Sequence, residues 1–275
     1  MLRAQSLLKG ILTGLFCAGL VQPVQAQKTQ DTLFTESNFK GLNFRSIGPA
    51  LMAGRIADIA IHPSKPNTWY VAVGSGGVWK TENSGTTWQT IFDNEKVYST
   101  GCITIDPSQT STIWLGTGEN VGGRHVGFGD GIYKSDDDGK SWKSMGLKNS
   151  EHISKILIHP TNSDIIWVAV QGPLWNSGGE RGVFKSIDGG KTWQNVLLVN
   201  EWTGATDLAI HPTNPEILYA ATWQRHRTTA AYLGGGMGSG LYKSVDGGAT
   251  WQELKNGLPA KPYGKIGLSI SREKT

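Results

Sequence analysis

The chain has 275 residues, 26 Lys and Arg against 22 Asp and Glu, 37 Gly, 11 Trp and two Cys. A formal charge of +4 without any Lys/Arg block gives nucleic acid no footing as a partner. Two Cys exclude a disulfide-built scaffold, and a chain of this length can bury a core without one.

Residues 1–26 read as a signal peptide. Arg3 and Lys9 make a basic start, residues 10–21 are apolar, and Val24-Gln25-Ala26 is a small-residue cleavage site. The run is short for a membrane span. Its removal takes two basic residues, so the 26 become 24 against 22 acidic ones. The mature chain is expected outside the cytoplasm, secreted or periplasmic, without membrane insertion. Cys17 leaves with the signal, and Cys102 remains at a strand start, where a buried inert thiol is expected.

After a linker at 27–41, the segment Leu42-Asn43-Phe44-Arg45-Ser46-Ile47 reads as a strand without a partner. Then one pattern recurs. An apolar strand A ends at Pro63, Pro107, Pro160 or Pro212, because Pro cannot donate to a sheet ladder. Strand B follows a polar turn, as in Trp69-Tyr70-Val71-Ala72-Val73. Strand C is Gly, an aliphatic residue, an aromatic residue and Lys, at 77–80, 131–134, 182–185 and 240–243. A turn of consensus S-x-D-x-G-x-T-W comes next and opens strand D. Its third position is Asn83, Asp137, Asp188 and Asp246, and its last is Trp88, Trp142, Trp193 and Trp251.

Self-similarity at this spacing signals a repeat architecture. Asp or Asn at the third position bonds nearby backbone N–H groups, Gly supplies positive φ, and Trp offers a large apolar surface. These eight residues are therefore expected to be structural. The acidic run Asp136-Asp137-Asp138 lacks the alternating ligands of a calcium loop, so no metal and no cofactor is expected. Four-stranded meanders in series predict an all-β chain, a β-propeller of four-stranded antiparallel blades. The propeller is expected over 42–275, with blades at about 57–92, 102–146, 154–197 and 206–255. A partial blade at 264–275 starts a fifth, so the chain is expected to be part of a larger ring, with the remaining blades on a longer chain.

Function is expected on the face of the B–C loops, at 74–76, 117–130, 171–181 and 222–239, opposite the Asp-containing turns. Candidate ligand contacts there are Arg124, His125, Trp175, Arg181, Trp223, Arg225, His226 and Tyr232. The D–A loops add Tyr98, His152 and Trp202. Glu119 and Asp130 are the candidate catalytic carboxylates. His62, His159 and His211 precede Pro at one repeat position and read as turn residues.

The four turns resemble the Asp-box (BNR) motif. The arrangement is similar to sortilin/Vps10 N-terminal domains, xyloglucan-hydrolysing propellers and, more distantly, sialidases, and to bacterial secreted proteins labelled glycosyl hydrolases. The resemblance implies the fold over most of the mature chain. It implies first a secreted, sortilin-like module binding a peptide or glycan on the B–C loop face. The alternative is a glycoside hydrolase, xyloglucanase- or sialidase-like, with part of its active site outside this chain. Xyloglucan-hydrolysing members are similar over Tyr70-Val71-Ala72-Val73-Gly74-Ser75-Gly76-Gly77 but place a catalytic Asp where this chain has Gly74.

Overall fold

The structure is a computed structural model that describes residue 41 and residues 54–271. The expected signal peptide and the strand at residues 42–47 lie outside the described residues, as does the linker apart from Gly41. The chain divides into two compact units, Met1–Gly48 and Pro49–Thr275, and every strand below belongs to the second.

Short apolar runs punctuated by Gly and Pro fold into four antiparallel four-stranded sheets, each a meander in chain order. Sheet one holds β1 (Ile56–Ile61), β2 (Trp69–Val73), β3 (Gly77–Thr81) and β4 (Gln89–Thr90). Sheet two holds β5 (Thr100–Ile105), β6 (Ile113–Thr117), β7 (Ile132–Ser135) and β8 (Lys143–Ser144). Sheet three holds β9 (Ile153–His159), β10 (Asn162–Val170), β11 (Gly182–Ser186) and β12 (Gln194–Leu197). Sheet four holds β13 (Thr203–Ile210), β14 (Leu218–Gln224), β17 (Gly240–Ser244) and β18 (Gln252–Leu254). Between β14 and β17 a small hairpin pairs β15 (His226–Arg227) with β16 (Tyr232–Leu233), where a loop was expected.

Each first strand carries a register shift against the second, between Ile56 and Asp58, Thr100 and Cys102, and Ala205 and Asp207, and at Ala169/Val170 in sheet three. A bulge of this kind bends and twists the strand. Three apolar clusters then fill the interfaces between successive sheets. Tyr70, Ala72 and Val78 of sheet one meet Ile103, Ile113, Leu115 and Tyr133 of sheet two. Trp114 and Ile132 meet Ile156, Ile166, Val168 and Phe184. Trp167, Ala169 and Val183 meet Leu208, Leu218 and Ala220. Cys102 is buried, and burial pushes its thiol well above the usual range.

The four turns share one hydrogen-bond pattern. Asp137, Asp188 and Asp246 each accept the backbone N–H of the residue four positions on at 2.9 Å. They also accept its hydroxyl, at 2.6, 2.6 and 2.5 Å respectively. Hydrogen bonds to the charged form lower a carboxyl pKa, and the Ser141 contacts bring Asp137 to about 2. Asn83 likewise accepts the Thr87 backbone N–H at 2.8 Å, but donates its Nδ2 to the Thr87 hydroxyl oxygen at 2.9 Å. Two successive residues in each turn take positive φ, and the first of the two is Ser84, Asp138, Gly189 or Gly247. The rest of the acidic run is also accounted for. Asp136 pairs with Lys134 at 2.9 Å, and Asp138 accepts the Tyr70 hydroxyl at 3.1 Å.

Residues 264–271, expected as the first strand of a fifth blade, form no strand. A strand requires a ladder, and among the described residues no neighbour runs alongside; only Tyr263 bridges to Gly236.

Candidate functional site

Strand alternation brings the loops after β2, β6, β10 and β14 together at one end of the sheets, where they bond to one another. Arg225 donates Nη1 to the Val121 carbonyl at 2.8 Å and Nη2 to the Gly172 carbonyl at 3.2 Å. Arg227 donates to the Gly122 carbonyl at 3.0 Å. Gln171 Nε2 reaches the Asn120 carbonyl at 3.2 Å. The expected convergence of these loops is thus present.

Their charged residues behave differently from one another. Arg181 and Arg225, expected at a ligand surface, are 1% and 0% exposed. Arg181 gives its donors to the carbonyls of Gly178, Gln171, Pro173 and Asn176, all in its own loop. Burial pulls the Arg181 guanidinium down to about 10 and that of Arg225 to about 9. Each ties loop carbonyls together, which is a folding role. His152 is buried beside them. Burial, with Arg225 and Arg181 nearby, holds its imidazole well below the usual range.

Arg124 and His125 are exposed at the tip of the second loop. Trp175 is 42% exposed and Tyr232 40%. Trp223 is buried, donates Nε1 to the Gly234 carbonyl at 2.9 Å and lies under Arg225. His226 packs on Trp202 with ring centroids 4.3 Å apart. Exposed Tyr98 and Phe128 share this end of the sheets.

The two carboxylates also separate. Asp130 accepts the Tyr133 hydroxyl on Oδ2 at 2.9 Å, while its Oδ1 is buried without a partner. Glu119 leads into the second loop at the end of β6. Its side chain is 3% exposed and accepts from Arg55 and from the Ser75 hydroxyl. Its backbone N–H donates to the Gly127 carbonyl at 2.9 Å. Across the interface stands Gly74, where an added Cβ would lie 3.1 Å from Glu119 Cγ and 3.2 Å from Cδ. Arg55 and Ser75 were not foreseen as partners of Glu119, because they lie 64 and 44 positions away in sequence. The signal available was the Ser beside Gly74. Among the described residues no group of three His, Cys, Asp or Glu could hold a metal ion, and no helix is long and apolar enough to cross a membrane.

The sequence model of the family described as sortilin, neurotensin receptor 3, matches residues 130–265. The oligoxyloglucan-reducing end-specific xyloglucanase of Emericella nidulans is 21% identical over 73% of this chain and 24% of its own length. The xyloglucanase of Hypocrea jecorina is 24% identical over 68% of this chain and 19% of its own. This chain therefore spans about a quarter or less of the curated relatives it matches. Among solved structures, the GH74 xyloglucanase of Xanthomonas campestris aligns at TM-score 0.54 and 19% identity, over 72% of this chain and 29% of that one. A Niastella koreensis GH74 enzyme aligns at 0.53 and 23%, over 71% and 28%.

These matches correct the expectation of a sortilin-like binding module. The sortilin model reaches under half of the chain, whereas three of the proteins matched over about 70% of it carry the name xyloglucanase.

Proposed function

We propose that this chain is part of a secreted glycoside hydrolase built as an Asp-box β-propeller, with each four-stranded sheet one blade, and that Glu119 is a catalytic carboxylate. The observation that carries the reading is the contact between Glu119 and Gly74. The resemblance calls for a catalytic Asp at position 74. The Glu119 carboxyl lies against the place where a side chain on residue 74 would begin, 3.2 Å from its Cβ position. The neighbouring loop thus supplies a carboxylate where residue 74 has none.

The donors on Glu119 set its role. An arginine and a hydroxyl both donate to it, and a carboxylate held in this way suits a general base or nucleophile. Glycoside hydrolysis needs a second carboxyl as acid. Asp130 is a poor choice, because one oxygen is bonded to Tyr133 and the other is buried. The acid is therefore assigned to remaining blades on a longer polypeptide. Exposed Trp175 and Tyr232, with Arg124 and His125, are proposed to line the sugar path. The relatives' names support xyloglucan as the substrate class.

The test is reducing-sugar release from xyloglucan by the natural secreted product. Glu119→Gln, with folding intact by circular dichroism, is expected to lose roughly 10²- to 10⁴-fold in rate. Full activity in that variant, or a native protein inert on every β-glucan offered, would overturn the reading.

A further inference from the structure

One asparagine stands apart from the rest in its chemical setting. Asn83, Asn149, Asn162 and Asn176 each precede a Ser, and Asn256 alone precedes a Gly. Such pairs matter because the backbone nitrogen of the following residue can attack the asparagine side-chain carbonyl carbon. The attack needs a main-chain N–H that is not tied up, an amide side chain that can turn toward it, and room for a small ring to close. A side chain on the following residue crowds that ring, and Gly has none.

In each serine pair a requirement is missing. The Ser84 N–H donates to the Asn67 carbonyl at 3.0 Å, and Thr87 holds both polar atoms of the Asn83 side chain. The Ser150 N–H donates to the Leu147 carbonyl at 3.2 Å, and Ser150 is buried. Asn162 opens β10, and its Oδ1 accepts the Asp164 N–H at 3.0 Å. Asn176 is exposed, but Arg181 holds its carbonyl and its serine carries the crowding side chain. Asn256 meets every requirement. It and Gly257 are exposed in the turn after β18, whose last ladder pair is Leu254 with Leu241. Among the described residues neither the Asn256 side chain nor the Gly257 N–H has a hydrogen-bond partner. Gly257 takes φ +74°, and nothing lies within 4 Å of where its Cβ would be.

We infer that Asn256 is a site of spontaneous deamidation in the folded protein. The Gly257 nitrogen gives up its proton and bonds to Asn256 Cγ. The Cγ–Nδ2 bond breaks, and the amide nitrogen leaves as ammonia with that proton. Water then opens the cyclic imide at one of its two carbonyls. Cleavage of the new Cγ–N bond gives aspartate. Cleavage of the original peptide bond gives isoaspartate, whose main chain runs through Cβ and Cγ. No atom changes oxidation state, and water is the one co-reactant. Either product sets a carboxylate beside exposed Lys255, just past sheet four. Isoaspartate also lengthens the main chain between β18 and Lys261, which pairs with Glu253 of that strand. The inference stands apart from the hydrolase reading, since it uses no residue of that site.

The test is peptide mapping by mass spectrometry after the folded chain has stood at mildly alkaline pH, with isoaspartate counted by enzymatic methylation. The peptide holding Asn256 is expected to lose its amide at least about tenfold faster than those holding Asn83, Asn149, Asn162 and Asn176. Gly257→Ala should slow that loss at least about tenfold, and Asn256→Gln should remove the fast product. Urea separates the setting from the residue pair. Once unfolding frees their N–H groups, conversion at Asn83 and Asn149 should rise at least about tenfold, while Asn256 changes less than about threefold. An Asn256 amide that lasts in the folded chain as long as the other four, or one lost quickly only in urea, would overturn the inference.

Discussion

The Trp193 indole N–H donates to the Met145 carbonyl at 2.7 Å, which fastens the turn of sheet three to the fourth strand of sheet two. Trp142 does the same to Ile91 of sheet one, also at 2.7 Å. Trp251 departs from this, bonding Gly248 within its own turn at 3.2 Å. In that interface the direction reverses, and Trp167 and Lys185 of sheet three reach the Gly247 carbonyl of sheet four at 3.0 and 2.8 Å.

The tryptophans should therefore not be equivalent in stability. Trp193→Phe keeps most of the apolar area, including the edge contact with Trp114, but leaves the Met145 carbonyl without its donor. We expect a loss of about 1–2 kcal/mol. Trp251→Phe gives up a longer bond within one turn and should cost less. Urea midpoints of the two variants decide this. Equal midpoints would show that the inter-sheet bond contributes nothing.

Arg225 ties two loops from inside. Arg225→Met would remove the donors to the Val121 and Gly172 carbonyls. An unpaired buried carbonyl costs about 1–3 kcal/mol, so a Tm drop of several degrees is expected. Because the side chain is buried, any hydrolysis measured under the proposed function should fall less per folded molecule than in Glu119→Gln. A Tm unchanged in calorimetry would contradict the tying role.

His152 predicts a pH dependence. Burial and the facing Arg225 and Arg181 lower its folded-state pKa, and the Glu151 carboxylate stands 3.9 Å from Nε2. The unfolded chain takes up the proton near pH 6.5 and the folded one does not. Stability should thus be full above about pH 6.5 and fall below it, by at most about 1.4 kcal/mol per pH unit. The lowered Asp137 enters only below its unfolded value of 3.8. Glu180, raised by burial, acts with the opposite sign near and above 4.5. His152→Gln should flatten the slope between pH 7 and 5.5 in urea titrations, and an unaltered slope would exclude His152 as its source.

The turns were legible because their bonds are local. Asp188 and Thr192 lie four residues apart, so residue types alone fix the contact. The sheets followed from the same repeats, since each first strand ends within two residues of its Pro and each third begins at its Gly or the residue after it. The loops were not legible in the same way. Arg181 looks identical in sequence whether it faces a ligand or loop carbonyls. What separates the cases is the Gly content of the loops, since Gly172 and Gly178 present carbonyls without side chains that could bond them. The Glu119 site was half visible, because its partners come from another sheet.

Gly74 supplies the sharpest test of that site. An added Cβ would approach Glu119 Cγ at 3.1 Å, so Gly74→Ala asks the glutamate to shift by a few tenths of an ångström. Arg55 is half exposed and can follow, so the fold should persist with only a small loss. Gly74→Asp is different, because it sets a second carboxylate against a buried one. Like charges raise the folded-state pKa of the pair above its unfolded value. The variant should lose roughly 1–3 kcal/mol at pH 7. As pH falls toward 5, the folded pair takes up a proton before the unfolded chain does, and part of the loss should return. Urea unfolding of Gly74→Asp against native protein at the two pH values measures the difference. A gap that stays constant between them would place the two side chains out of contact.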